Sequence, residues 1–262
     1  MNITIQQSAK AEVFTTLFQN MKHFSEHINV QFTPEHMYIQ TMDSARISIL
    51  EVKLPKKWFS TYTCEQSIVL GIPSQILYKI LATRDKDQSI QIHVEDSNTD
   101  TLLVDMCSIP GKNKTGCFER HFVMPLMDIE MDCVQVPDME YQVEMCLTAT
   151  IFTTMIHQLR GFGDNLRIHC NEEQNQWTST TQEHGSMSVE VDINDLQEFA
   201  IEENCDLTLE FALQYLQNVG AYSKISKNMT VKMHADYPLR LDFPLEEDGY
   251  IIYYLAPKIN ED

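Results

Sequence analysis

The sequence predicts an α+β protein in which one structural unit is written twice. Three observations carry that reading. Short runs alternating apolar and polar residues recur along the chain, and four stretches space apolar residues at helical intervals. The first and third helical stretches, like the second and fourth, lie roughly 135–140 residues apart, the mark of an internal duplication. A chain of 262 residues suffices for two mid-sized domains, expected at residues 1–125 and 142–262 with a connector at 126–141.

Residues 2–6 alternate and read as a strand. Val13, Phe14, Leu17, Phe18 and Met21 then recur at helical spacing, with Lys10, Glu12, Thr15, Thr16, Gln19 and Lys22 on the other face. Strands are expected at 28–32, 37–41, 47–54 and 67–72. A second short helix starts after Pro73 with Ile76, Leu77, Ile80 and Leu81 on its apolar side. Strands at 90–95, 102–107 and 118–124 complete the first unit.

The connector has neither period. Ile129, Met131, Val134 and Val136 are scattered among acids and followed by Pro137, as expected of an extended surface segment that keeps apolar side chains exposed. The order then repeats: a strand at 141–147, a helix with Ile151, Phe152, Met155, Ile156 and Leu159 inward, and strands at 166–170, 176–180 and 186–193. A fourth helix is expected to carry Leu209, Ala212, Leu213, Leu216 and Val219. Strands at 230–234, 239–244 and 250–255 close the chain.

Seven cysteines, odd in number and without a C-x-x-C pair, point to reduced thiols in an intracellular compartment and away from a disulfide framework or zinc site. No basic-then-apolar segment opens the chain and no run is long enough to span a bilayer, so the sequons at Asn2, Asn113 and Asn228 carry no weight. A formal charge of −19 argues against nucleic acid only if the charge is evenly spread. It is not. Across the four helical stretches and the loop after the fourth stand Lys10, Lys22, Lys79, Arg84, Arg160, Lys224 and Lys227 against only Glu12 and Glu210. One explanation is that short helices use Thr, Gln and Asn on their wet faces. The other is a surface that sits near a polyanion without gripping it, since a few Lys and Arg give weak, salt-sensitive, sequence-independent attraction.

Catalytic chemistry finds little support. His23 and His27 have metal-ligand spacing on a helix but no evident third ligand. Gly161-Phe162-Gly163-Asp164 lacks a third glycine and follows a helix, which makes it a C-cap turn and not a phosphate loop. No nucleophile elbow, Walker sequence or zincin motif occurs. Glu172-Glu173, Glu202-Glu203 and Glu246-Glu247 read as solvated loops. The expectation is a non-enzyme with no cofactor and no metal.

Three stretches resemble one family. Thr41-Met42-Asp43-Ser44-Ala45-Arg46-Ile47-Ser48-Ile49 resembles a loop of proliferating cell nuclear antigen, the eukaryotic DNA sliding clamp. Leu126-Met127-Asp128, with Val136-Pro137 and Tyr141, is similar to its interdomain connector. Tyr253-Tyr254-Leu255-Ala256-Pro257-Lys258-Ile259 resembles its C-terminal signature almost letter for letter. Phe211-Ala212-Leu213-Gln214-Tyr215-Leu216 and Ala235-Asp236-Tyr237-Pro238-Leu239 support the match, which runs end to end without large insertions.

The resemblance implies the DNA-clamp fold. Three chains, each of two like domains, close head to tail into a pseudo-six-fold ring whose helices line a hole around duplex DNA. It implies paired edges at residues 117–124 of one subunit and 185–191 of the next, with Cys117, Phe118, Phe122 and Met124 facing Gly185, Met187, Val189 and Val191. It implies a groove for peptides of the form Q-x-x-aliphatic-x-x-aromatic-aromatic from polymerase, clamp loader, ligase and nuclease. Met42, Arg46, Ile47, Ile49, Val134 and Val136 would line that groove together with Pro137, Tyr141, Pro238, Leu255, Ala256 and Pro257. DNA would face Lys10, Lys22, Lys79, Arg84, His157, Arg160, Lys224 and Lys227.

The chain also departs from the family pattern. Arg46 stands where His is usual, which shifts peptide preference toward acidic flanks. Thr15, Thr16, Thr154, Gln214 and Ala221 stand where cellular clamps carry Lys or Arg, and Glu172 stands where they offer a lysine for ubiquitin-type modification. A divergent clamp of a large DNA virus would show such changes. The reading is therefore a homotrimeric processivity factor for DNA replication and repair, located in the nucleus if cellular, or in a host nucleus or cytoplasmic replication site if viral. The alternatives are a subunit of a heterotrimeric checkpoint-type clamp and a catalytic DNA-processing subunit using Glu172, Glu173 or Asp164.

Overall fold

A computed structural model describes residues 1–95, 98–109, 111, 118–130, 134–137, 139–183 and 185–258. Asn113, Cys117, Met131 and Ile259, named above, lie outside the described residues. The chain divides into two units: unit 1 is Met1–Ser44, Glu51–Cys133 and Leu245–Tyr250, and unit 2 is Ala45–Leu50, Val134–Pro244 and Ile251–Asp262. The expected linear division thus acquires two exchanged segments. Residues 45–50 run with unit 2 because the Ile47 carbonyl accepts from the Ala256 N–H at 2.9 Å. Residues 245–250 turn back within unit 1, where Gly249 packs on Leu54 and Lys57 pairs with Asp248.

From the N-terminus come β1 (Asn2–Ile5), α1 (Ser8–Phe24), β2 (His27–Phe32), β3 (His36–Met42), β4 (Ser48–Pro55), β5 (Thr61–Thr63), β6 (Ile68–Pro73), α2 (Ser74–Leu81), β7 (Gln88–Glu95), β8 (Asn98–Ser108) and β9 (Arg120–Pro125). Then follow β10 (Val143–Thr148), α3 (Ala149–Arg160), β11 (Asn165–Asn171), β12 (Asn175–Thr181), β13 (Gly185–Glu190), β14 (Glu198–Ile201), β15 (Asp206–Ala212), α4 (Leu213–Val219), β16 (Asn228–Met233), β17 (Leu239–Pro244) and β18 (Tyr250–Leu255).

Strand order proves the duplication. Unit 1 runs β5-β1-β7-β8-β9 in one sheet, and unit 2 runs β14-β10-β16-β17-β18; adding nine to each label converts the first into the second. The order β4-β3-β2-β6 likewise becomes β13-β12-β11-β15. Helix starts repeat too. None has a side-chain cap, and each of the second helices takes a backbone carbonyl from just past the first: the Ser74 N–H donates to Glu26 at 3.0 Å, and the Leu213 N–H to Asp164 at 2.9 Å.

Each helix buries an apolar stripe. In unit 1 Phe14, Leu17, Phe18 and Met21 of α1 are buried, and Phe14 meets Phe18 at 4.9 Å and Trp58 at 6.4 Å between ring centroids. In unit 2 Phe152 of α3 meets Trp177 of β12 edge-on at 6.0 Å, a pair that adds modestly to the area both rings bury.

Several expectations need correction. Leu209 and Ala212 belong to β15, not to the fourth helix. Leu207, Leu209 and Phe211 alternate inward with Thr208 and Glu210 outward, and that period of two outweighs the helical spacing of 209, 212, 213 and 216. Glu210 therefore leaves the helical charge count. Ile76 and Ile151, expected inward, are exposed at the third position of α2 and of α3. His23 and His27 share no helix face, because α1 ends at Phe24 and His27 opens β2. Strands β5 and β14 were not anticipated; at three and four residues they are too short for a period to register.

Candidate functional site

Eleven of the twelve expected groove residues fall in unit 2; Met42 lies half-buried on β3 of unit 1. Two of the expected segments are joined by the hydrogen bond from the Ala256 N–H to the Ile47 carbonyl, which holds the end of β18 against the turn before β4. That turn needs Arg46 at a φ of 59°, a left-handed conformation uncommon for any residue other than glycine, and its side chain is exposed. Among the expected groove residues of unit 2, Ile47, Val134, Pro137 and Ala256 are exposed, and Ile49, Val136 and Pro257 are half-buried. Exposed apolar side chains of this kind offer surface to a partner without unfolding anything.

Leu255 is a correction. It is 1% exposed, the last of five consecutive buried residues in β18, and presents almost no surface. Tyr141 and Pro238 are half-buried, and Tyr141 meets Tyr237, the residue before Pro238, edge-on at 6.3 Å. Burial pushes the Tyr141 hydroxyl pKa up; nearby Arg240 offsets part of that. Arg240 also lies 5.8 Å from the Tyr254 ring and donates from Nε to Asp242 at 2.7 Å. Beside Pro257 a cavity of about 320 Å3 opens between Arg167, Leu209, Glu210 and Lys258, whose N–H donates to the Glu210 carbonyl at 2.7 Å.

The helices of 17, 8, 12 and 7 residues hold a single acid, Glu12, in a chain with 38. None has an acid in its first turn, although a helix N-terminus attracts negative charge, so acids are missing where local physics would favour them. The threonines of these faces are self-satisfied: Thr15, Thr153 and Thr154 donate to the carbonyls of Ala11, Ala149 and Thr150.

The basic residues differ among themselves. Lys79, His157, Lys224 and Lys227 are exposed. Lys22 is half-buried with Nζ 4.2 Å over the Tyr78 ring. Arg84 donates to the carbonyls of Asp85, Lys86 and Gln88, and Arg160 to Gly163 and Asp164, so both guanidinium groups already fasten the turns after their helices. Lys10 is withdrawn from the set: only 7% exposed, it donates to the Trp58 carbonyl at 2.9 Å and packs 5.5 Å over that ring. A buried, engaged ammonium cannot face DNA.

The two expected interface segments are both sheet edges. Strand β9 borders only β8, and β13 only β12, among the described residues. Phe118 is 74% exposed while its carbonyl is held by Gln88 Nε2 at 2.6 Å; Phe122, Met187, Val189 and Val191 are half-buried, Gly185 is exposed, and Met124 is buried in the sheet's core face.

Residues 5–134 match the N-terminal domain of proliferating cell nuclear antigen, and residues 135–258 match its C-terminal domain. The chain belongs to the proliferating cell nuclear antigen family. A crystal structure of a PCNA2–PCNA3 complex from Sulfolobus tokodaii is similar in fold, with a TM-score of 0.85 and 20% identity over 98% of this chain and 99% of that one. The family makes this chain a DNA sliding clamp, of α+β fold with two like domains.

Within the clamp, sequence reasoning missed how the connector begins. The Met127 N–H donates to the Gly71 carbonyl at 2.9 Å, forming a bridge beside β6, and Asn29 Nδ2 donates to the Ile129 carbonyl at 3.0 Å. The one available signal was Gly71 inside an otherwise apolar strand, which marks close backbone approach.

Proposed function

We propose that the chain is a homotrimeric clamp that encircles duplex DNA and tethers polymerase, clamp loader, ligase and nuclease through the surface around Ile47 and Ala256. The clamp acts by topology and raised local concentration, not by catalysis.

One observation carries the ring. By the shift of nine in strand number, β18 is the counterpart of β9, and β13 the counterpart of β4. In unit 2 the start of β4 lies beside β18. The same pairing between β9 of one copy and β13 of the next would cover both remaining edges, and repetition of one heterologous contact closes a ring. Acid-poor helices suit a hole that must pass a polyanion. Light scattering across a dilution series tests this: three chains of 30.4 kDa give about 91 kDa.

A second reading is a ring of non-identical chains, favoured by the similar structure being a complex of two different chains. A monomer at every concentration would select it.

A further inference from the structure

We infer that a second cleft in unit 2, next to Tyr141, receives an arginine side chain of the segment bound to the clamp. This deepens the tethering proposal and rests on it, and it assigns a basic residue to the flank that reaches Tyr141, whereas the flank beside Arg46 is expected to be acidic. The cleft holds about 530 Å3 and is lined by Glu140, Tyr141, Glu144, Glu202, His234 and Tyr237.

Its aromatic wall is fixed in place. The His234 and Tyr237 rings stack at 4.0 Å with 17° between planes, and Tyr141 meets Tyr237 edge-on. The Asp236 N–H lies 3.0 Å from His234 Nδ1. A backbone amide only donates, so Nδ1 accepts this bond, which holds the ring in place. Gln142 links the two sides of the cleft: its Oε1 accepts from the Ala235 N–H at 3.0 Å, and its Nε2 donates to Glu202 Oε2 at 3.2 Å.

The carboxylates decide the ligand. Glu144 is already paired with Lys232 at 2.8 Å. Glu140 and Glu202 have no cation within ion-pair distance among the described residues. Uncompensated carboxylates at the rim repel an anion and gain nothing from an apolar side chain. A guanidinium suits both walls at once: its plane stacks on an aromatic face while its edge donates to carboxylates.

The test uses two peptides carrying the glutamine–aliphatic–diaromatic motif, one flanked on both sides by arginines and one by citrullines, which keep the shape and lose the charge. By fluorescence anisotropy on the intact protein, the arginine peptide is expected to bind about tenfold tighter. That advantage is expected to vanish in a Glu140→Gln, Glu202→Gln variant and to shrink in His234→Ala. A Glu172→Gln, Glu173→Gln variant, equal in charge change but outside the cleft, controls for the long-range field of an acidic protein. Equal binding of the two peptides, or equal loss in the control variant, overturns the inference while leaving tethering intact. Absence of binding by both peptides removes the tethering proposal and this inference with it.

Discussion

The Gly71 carbonyl accepts from the Met127 N–H at 2.9 Å, and a Cβ placed on Gly71 would sit 2.1 Å from the Met127 carbonyl oxygen and 2.9 Å from Ile129 side-chain carbons. The start of the connector thus lies directly on backbone that has no room for a side chain. The atom in the way is main-chain oxygen, which cannot swing aside as a flexible side chain would. Gly71→Ala is expected to lift residues 126–130 off β6 while costing the fold only about 1–3 kcal/mol. Limited proteolysis within the connector should accelerate and motif-peptide affinity should fall. Unchanged cleavage and affinity would mean that the bridge has no bearing on the groove.

Lys10 and Lys79 separate structure from DNA contact. Lys10→Ala removes a buried donor from the Trp58 carbonyl and a stem packed on its ring, a loss of about 1–3 kcal/mol in thermal or urea unfolding. Lys79 is exposed, so Lys79→Glu is expected to leave the midpoint unchanged and to weaken retention on nicked circular DNA, with a steeper effect at low salt. The reverse pattern would count against both assignments.

These two lysines also show what the sequence could tell. Helical spacing placed Lys10 on the polar face opposite Phe14 and Leu17, and nothing local revealed that Trp58, 48 residues later, would fold over it. The duplication and the groove segments were legible because period and motif are local properties. Leu255 reads as a groove residue by motif, yet it ends a stretch of β18 buried on both faces from Ile251 onward. Strand β15 was misread because Leu209, Ala212, Leu213 and Leu216 satisfy a helical pattern across a strand–helix junction. Short edge strands such as β14 were missed because their pairing is set by partners far along the chain, Glu198–Ile201 lying against β10.

Leu255 and Ala256, adjacent in the chain, are expected to respond oppositely to charge. Leu255→Asp buries an unpaired carboxyl in the core and is expected to cost more than about 4 kcal/mol, seen as aggregation or loss of cooperative unfolding. Ala256→Asp is exposed and keeps the N–H that bonds Ile47. It should unfold normally and lose motif-peptide binding and polymerase stimulation. Retained stimulation would remove the groove assignment.

Asp242 sets a pH dependence. Burial holds its carboxyl above the ordinary range, and the bond and charge of Arg240 only partly offset this. The folded state therefore takes up a proton more readily than the unfolded chain. The stability this contributes is fully present below the ordinary aspartate value and is lost as pH rises through the raised one. Subtracting the unfolding midpoint of Asp242→Asn from that of the unsubstituted protein should leave a difference that falls as pH rises from about 4. A difference that rises with pH would place the folded value below the ordinary one.

Phe118 tests ring closure without disturbing the fold. Its carbonyl is anchored by Gln88, itself 0% exposed, so the segment before β9 is held whatever side chain it carries. The Phe118 ring is 74% exposed, next to an edge strand whose outward groups border no other strand among the described residues. An aromatic ring left in water beside an open edge is the kind of anchor that a subunit interface buries. Phe118→Asp adds a charge at that place and removes nothing from the core. Circular dichroism and the unfolding midpoint should match the unsubstituted protein, while light scattering should fall from about 91 kDa toward 30.4 kDa as the sample is diluted. Retention of the full assembly at the lowest concentration would show that the β9 edge is not the contact that closes the ring.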